Sequence, residues 1–99
     1  MLKETLIYEV VDLATAREFL KNYQDPVVIT NIEGSAKYYG TLVLEYIFKN
    51  LAKEFPQIVK VIMNVSDDNA ALFTAIKLNY KNILYNGTSE TAKKMLLDL

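Results

Sequence analysis

The stretch "PVVITNIEGSAKYYGTLVLEYIF", residues 26–48, carries the pattern that sets the fold class. Pro26 ends what precedes it, and "VVITNI" then runs apolar without alternation, as a parallel strand buried on both faces does. "GSAKYYG", residues 34–40, supplies a small-residue turn. From Ser35 a helical pattern continues to about Phe55, where Pro56 stops it. Strand, glycine-bearing loop and helix in that order form the repeating unit of an α/β protein.

The same unit recurs on either side. Upstream, "TLIYEVV" (residues 5–11) is rich in β-branched and aromatic residues and reads as a strand. Asp12 offers a helix cap, and Leu13, Ala16, Leu20 and Tyr23 recur at helical spacing. Downstream, "IVKVIMNV" (58–65) is a third strand, Asp67 and Asp68 cap "NAALFTAIKL", and "KNILY" (81–85) is a weaker fourth strand. Thr88 or Ser89 caps the last helix, "TAKKMLLDL". The expectation is one domain, 1–99, of the α/β class: βαβαβαβα, with a four-stranded, mainly parallel or mixed sheet and covering helices. Its strand-to-helix loops, 34–40, 66–69 and 86–89, then share one rim, where α/β proteins place ligands and partners.

Composition narrows the chemistry. Of the 99 residues, 52% are hydrophobic and 23% charged, the balance of a globular chain. A net charge of −1, with no basic run longer than Lys93–Lys94, lacks the footprint of a nucleic-acid binder. Without cysteine there is no disulfide or thiolate nucleophile, and without histidine the commonest general base and zinc ligand are missing. No apolar run nears the roughly 18 residues of a membrane span. The start, "MLKETLIYEV", has acidic residues where a signal peptide is basic and apolar. The expected setting is cytoplasmic, with no cofactor, metal, nucleic-acid or membrane partner.

Each candidate site has a plainer reading. A phosphate loop needs glycines at fixed offsets followed by Lys-Ser/Thr; here Gly34 and Gly40 are six apart, Lys37 is misplaced, and Tyr38 and Tyr39 fill the space. The helix start near Ser35 still offers amides to an anion. Asp67 and Asp68 make an adjacent pair better suited to a helix dipole than to acid–base work; a Mg²⁺ role with Glu33 has no further support. Among seven tyrosines, Tyr8, Tyr46 and Tyr80 fall at core-like positions. Tyr38 and Tyr39, about 100° apart on a helix, cannot both be buried. The long helix confines its polar residues to a stripe at Lys37, Thr41, Glu45, Lys49 and Lys53. Its apolar arc exceeds the roughly 100° that one sheet face covers, leaving a flank for neighbouring helices or for association.

The segments "DLATAREFL", "PVVITNIEGSAKYYGTLVLEYIF" and "VKVIMNVSDDNAALFTAIKLNYKNILYNGTSETAKKML" together resemble a STAS domain, the α/β module of anti-sigma factor antagonists and sulphate transporter tails. In that family an Asp-Ser-Ser-Gly-Leu-like motif precedes the corresponding helix. Placing Gly40 at the motif glycine puts Lys37 at its aspartate and Tyr38 and Tyr39 at its serines. The resemblance therefore implies partner docking at the loop and helix start, without the phosphoserine switch. A second resemblance joins "SDDNAALFTAIKLNYK" to the closing part of GNAT acetyltransferases, with Gly40 as the last glycine of an acyl-CoA loop that includes Ser35, Ala36 and Tyr38.

The functional expectation is a non-catalytic interaction module that docks a protein partner or a second copy through Ser35, Lys37, Tyr38, Tyr39, Gly40, Leu44 and Phe48. The alternative is a degenerate or truncated GNAT-like acyl-CoA-binding domain.

Overall fold

Nine elements form from these signals in a computed structural model that describes residues 4–99; residues 1–3 of the expected domain lie outside the described residues. They are β1 (Leu6–Val10), α1 (Leu13–Lys21), β2 (Val27–Asn31), α2 (Ser35–Tyr39), α3 (Thr41–Glu54), β3 (Ile58–Ser66), α4 (Asn69–Lys77), β4 (Ile83–Tyr85) and α5 (Glu90–Leu97).

Capping chemistry sets the helix ends. Asp12, Asp68 and Ser89 each accept the amide three residues on, at 2.7, 3.1 and 3.2 Å, satisfying a donor that the first helical turn leaves free. Asp67 stays exposed, so one carboxylate of the adjacent pair caps and the other does not. Asn79 closes α4 at φ +69: its amide donates to the Ile76 carbonyl and the Tyr80 amide to the Ala75 carbonyl, a Schellman arrangement. The single long helix expected over 35–55 is two helices. Gly40 separates them at φ +85 and ψ 149, a backbone state that glycine takes without steric cost and a helix cannot contain.

The sheet is four-stranded and parallel throughout, in the order β1-β2-β3-β4. Sequential order means that every crossover steps the same way. With the usual right-handed connection, the helices then gather on one face. They do: α1 packs on α3, α3 on α4, and α4 on α5, in a single row. The shortest dimension of the molecule is 19 Å, enough for a sheet and one helical layer but too thin for helices on both faces.

The core lies between those two layers. Leu20, Leu44, Phe48, Leu51 and Leu72 come down from the helices onto Val27, Ile29, Met63 and Val65 of the strands. Tyr8 stacks on Phe19, and Phe19 on Tyr23, closing the β1 edge. Arg17 forks onto the Glu54 carboxylate and joins α1 to α3; that hydrogen bond holds the Glu54 carboxyl below its usual range.

The other face carries the alternate residues of the same strands, and no helix covers it. In register across it lie Ile7, Val28 and Lys60, then Glu9, Thr30 and Ile62, then Asn64 and Leu84. The expectation that the apolar second strand is buried on both faces is met only in part: no helix lies over this face, yet Thr30 is buried there and Val28 half-buried. β3 shows Lys60 and Asn64 here beside Ile62, so the face is mixed rather than apolar.

Candidate functional site

The loops after β2, β3 and β4 meet at the carboxyl edge of the sheet, as their strand-to-helix positions require. Asn31, at the end of β2, is buried and acts as a rung of ladder where the strands begin to part. Its Oδ1 accepts the Asn64 amide at 2.7 Å, and its Nδ2 donates to the Asn64 carbonyl at 2.8 Å and to Ser35 Oγ at 2.9 Å. Ser66 ties in the remaining loops. Its Oγ accepts the Gly34 amide at 3.0 Å, and its carbonyl accepts the Asn86 amide at 2.8 Å. Ser66 sits at φ +53, an uncommon state for a residue with a Cβ, held by these bonds. Asn86 Nδ2 donates to Glu33 at 3.0 Å, and Gly87 lies so close to the Tyr85 ring that a Cβ has no room.

Four amides of the turn are already used within the chain. The Ser35 amide donates to the Ile32 carbonyl, Lys37 to Gly34, and Gly40 to Ala36, at 3.0, 3.1 and 3.0 Å, while Gly34 donates to Ser66. A phosphate at this turn would have to displace bonds already formed. Among the described residues, no group of three His, Cys, Asp or Glu side chains could hold a metal ion. Nor is any described helix long and apolar enough to cross a membrane.

The expected partner-binding residues separate into two sets. Ser35 is turned inward, its hydroxyl donating to the Ile32 carbonyl at 2.7 Å and accepting from Asn31. Leu44 and Phe48 are core residues of α3, 3% and 1% exposed, so neither offers surface to a partner; at their positions the apolar arc faces the sheet. Lys37, Tyr38 and Tyr39 are exposed on α2, Tyr38 at 87%, and Gly40 forms the joint behind them. Tyr46, expected in the core, is 64% exposed, whereas Tyr8 and Tyr80 are partly buried. Burial pushes the Tyr80 phenol up to about 12, with the Glu45 carboxylate adding to the rise. It therefore stays neutral through the physiological range.

On α2 and α3 the exposed apolar side chains are Tyr38 and Tyr39, continued by Leu42, Val43 and Tyr46; Leu97 is exposed on α5. Leu42 and Tyr46 are one helical turn apart and share a face. Grooves flank Tyr39 on both sides. One, about 450 Å³, runs from Gly40 and Thr41 to Asp68 and Thr74; the other, about 240 Å³, lies between Tyr38 and the end of β1 at Val10 and Val11. Sequence reasoning passed over Asn31 and Asn64. Their signal was present: each is a polar residue closing an apolar strand, in "VITN" and "VIMN".

No family model matches the chain, and no solved structure matches it. Over 94 residues it is 50% identical to the uncharacterized protein RP547 of Rickettsia prowazekii (strain Madrid E), an alignment spanning 94% of this chain and 89% of that protein. At that identity and coverage the two share a fold and an ancestry. The chain belongs to the family of RP547.

Proposed function

We propose that this protein is a non-catalytic interaction module that docks a protein partner through α2 and the exposed flank of α3. The observation that carries this reading is the run of exposed apolar bulk from Tyr38 and Tyr39 to Leu42, Val43 and Tyr46, with a groove on either side of Tyr39. Protruding tyrosines beside concave surface are what interface centres use, and one well-packed aromatic anchor there is worth about 2 kcal/mol or more. Lys37, exposed on the same short helix, adds a charge that orients the partner. The STAS resemblance supports docking at the same helix start. The acyl-CoA alternative is less favoured because the Ser35, Lys37 and Gly40 amides of its loop already donate within the chain.

The test is site-specific photo-crosslinking in the native cell, with the reactive residue at Leu42 and, as a control, at the exposed Lys93 of α5. A discrete adduct at position 42, absent at 93 and lost in a Tyr39→Ala background, is the expected result. The same background adducts at both positions would remove the docking site from this flank.

A further inference from the structure

We propose that the uncovered face of the sheet is a second interaction surface and that its partner is another copy of this chain. The inference goes beyond α2 and α3, since it concerns the opposite side of the molecule.

Two observations lead to it. First, the face carries apolar side chains that nothing in the chain requires, among the polar Glu9, Thr30, Lys60 and Asn64. Ile7, Val28, Ile62 and Leu84 lie on it, one from each strand, and none joins the hydrophobic core. Ile7 is 57% exposed and Leu84 is exposed as well. A fully solvated face normally presents polar residues, whereas this one keeps one apolar side chain on each strand. Second, its charges are self-complementary. Glu9 on β1 and Lys60 on β3 lie on opposite sides of β2, level with Thr30 and Val28 respectively, and neither makes an ion pair among the described residues. A two-fold axis lying in the interface, oblique to the strands and crossing β2 between Val28 and Thr30, sets Glu9 of each copy against Lys60 of the other. An isologous contact needs this reciprocity. A like-charged face would repel its own copy; this one carries one charge of each sign.

The area sets the strength. Four strands about 4.8 Å apart and about 17 Å long give a footprint of roughly 300 Å² per copy before side-chain relief. Over both copies that is roughly 600 Å², below the about 1,200 Å² at which standard specific interfaces begin, so the dimer is expected to be weak and to dissociate in the high-micromolar range.

Sedimentation velocity over a concentration series tests this with Glu9→Lys, Lys60→Glu, the double exchange and Leu42→Glu. Glu9, Lys60 and Leu42 are all exposed, and circular dichroism checks that each variant folds. The wild-type chain should dimerise, each single charge reversal should raise the dissociation constant at least about tenfold, and the double exchange should restore it. Leu42→Glu should leave it unchanged. A chain that stays monomeric up to about 1 mM would overturn the proposal. So would a dimer indifferent to both reversals, a double exchange that fails to rescue, or a dimer broken by Leu42→Glu. Apart from the last, these results do not bear on crosslinking at position 42, so the two surfaces are tested separately.

Discussion

The two faces of the sheet are built from alternate residues of the same strands and have different fates. On one, Val27, Ile29, Met63 and Val65 are closed under α1, α3, α4 and α5. On the other, Ile7, Val28, Ile62 and Leu84 have no helix over them, and Thr30 keeps an unpartnered hydroxyl. Side-chain chemistry alone does not decide which face the helices cover, although Glu9, Thr30, Lys60 and Asn64 make the open face the more polar. Topology does: four strands in sequential order send every crossover to the same side, so a chain of this length with this order builds one helical layer. Apolar residues on a strand record that both faces meet something. They do not record whether that something belongs to the same chain.

This contrast is sharpest between two isoleucines. Ile29→Ala on the covered face, where the side chain is fully buried, should destabilise the fold by about 2–5 kcal/mol. A smaller effect of opposite sign is expected on the open face at Thr30. Thr30→Val removes a desolvated hydroxyl while keeping the shape, so dilute protein should gain about 1 kcal/mol. A loss of stability would show that the hydroxyl is already paired. Ile7→Ala, also on the open face, should change the stability of dilute protein by no more than about 0.5 kcal/mol. Urea denaturation at low concentration measures all three. Equal costs at Ile29 and Ile7 would mean that the open face is packed within the monomer.

How much of this was legible in the sequence depends on the same contrast. Local signals were reliable. Asp12, Asp68 and Ser89 cap the helices they precede, the four strands fall where β-branched residues cluster, and the three loops share the expected rim. Signals that depend on a helix staying continuous were not. The pattern from Ser35 to Phe55 reads as one helix because its apolar residues keep helical spacing, yet Gly40 turns the chain and re-aims α3. Leu44 and Phe48 lie in the core and Tyr46 outside it, so the apolar arc of α3 faces the sheet at the positions expected to meet a partner. The bare face lay beyond sequence reading for a different reason: "VVITNI" and "IVKVIM" are compatible with helices on both sides, and only the strand order decides. Asn31 and Asn64 show a third case. A polar residue ending an apolar strand is visible, but its role as a substitute rung depends on the neighbouring strand diverging there.

The central claim, that one face of this sheet lies open, can be tested with a thiol probe, because the chain has no cysteine of its own. Single variants Leu84→Cys and Ile29→Cys report the open and covered faces respectively. In dilute protein, Leu84→Cys should react with a thiol reagent at nearly the rate of an unfolded peptide, while Ile29→Cys should wait for unfolding. Slow labelling of Leu84→Cys under the same dilute conditions, matching Ile29→Cys, would contradict the account.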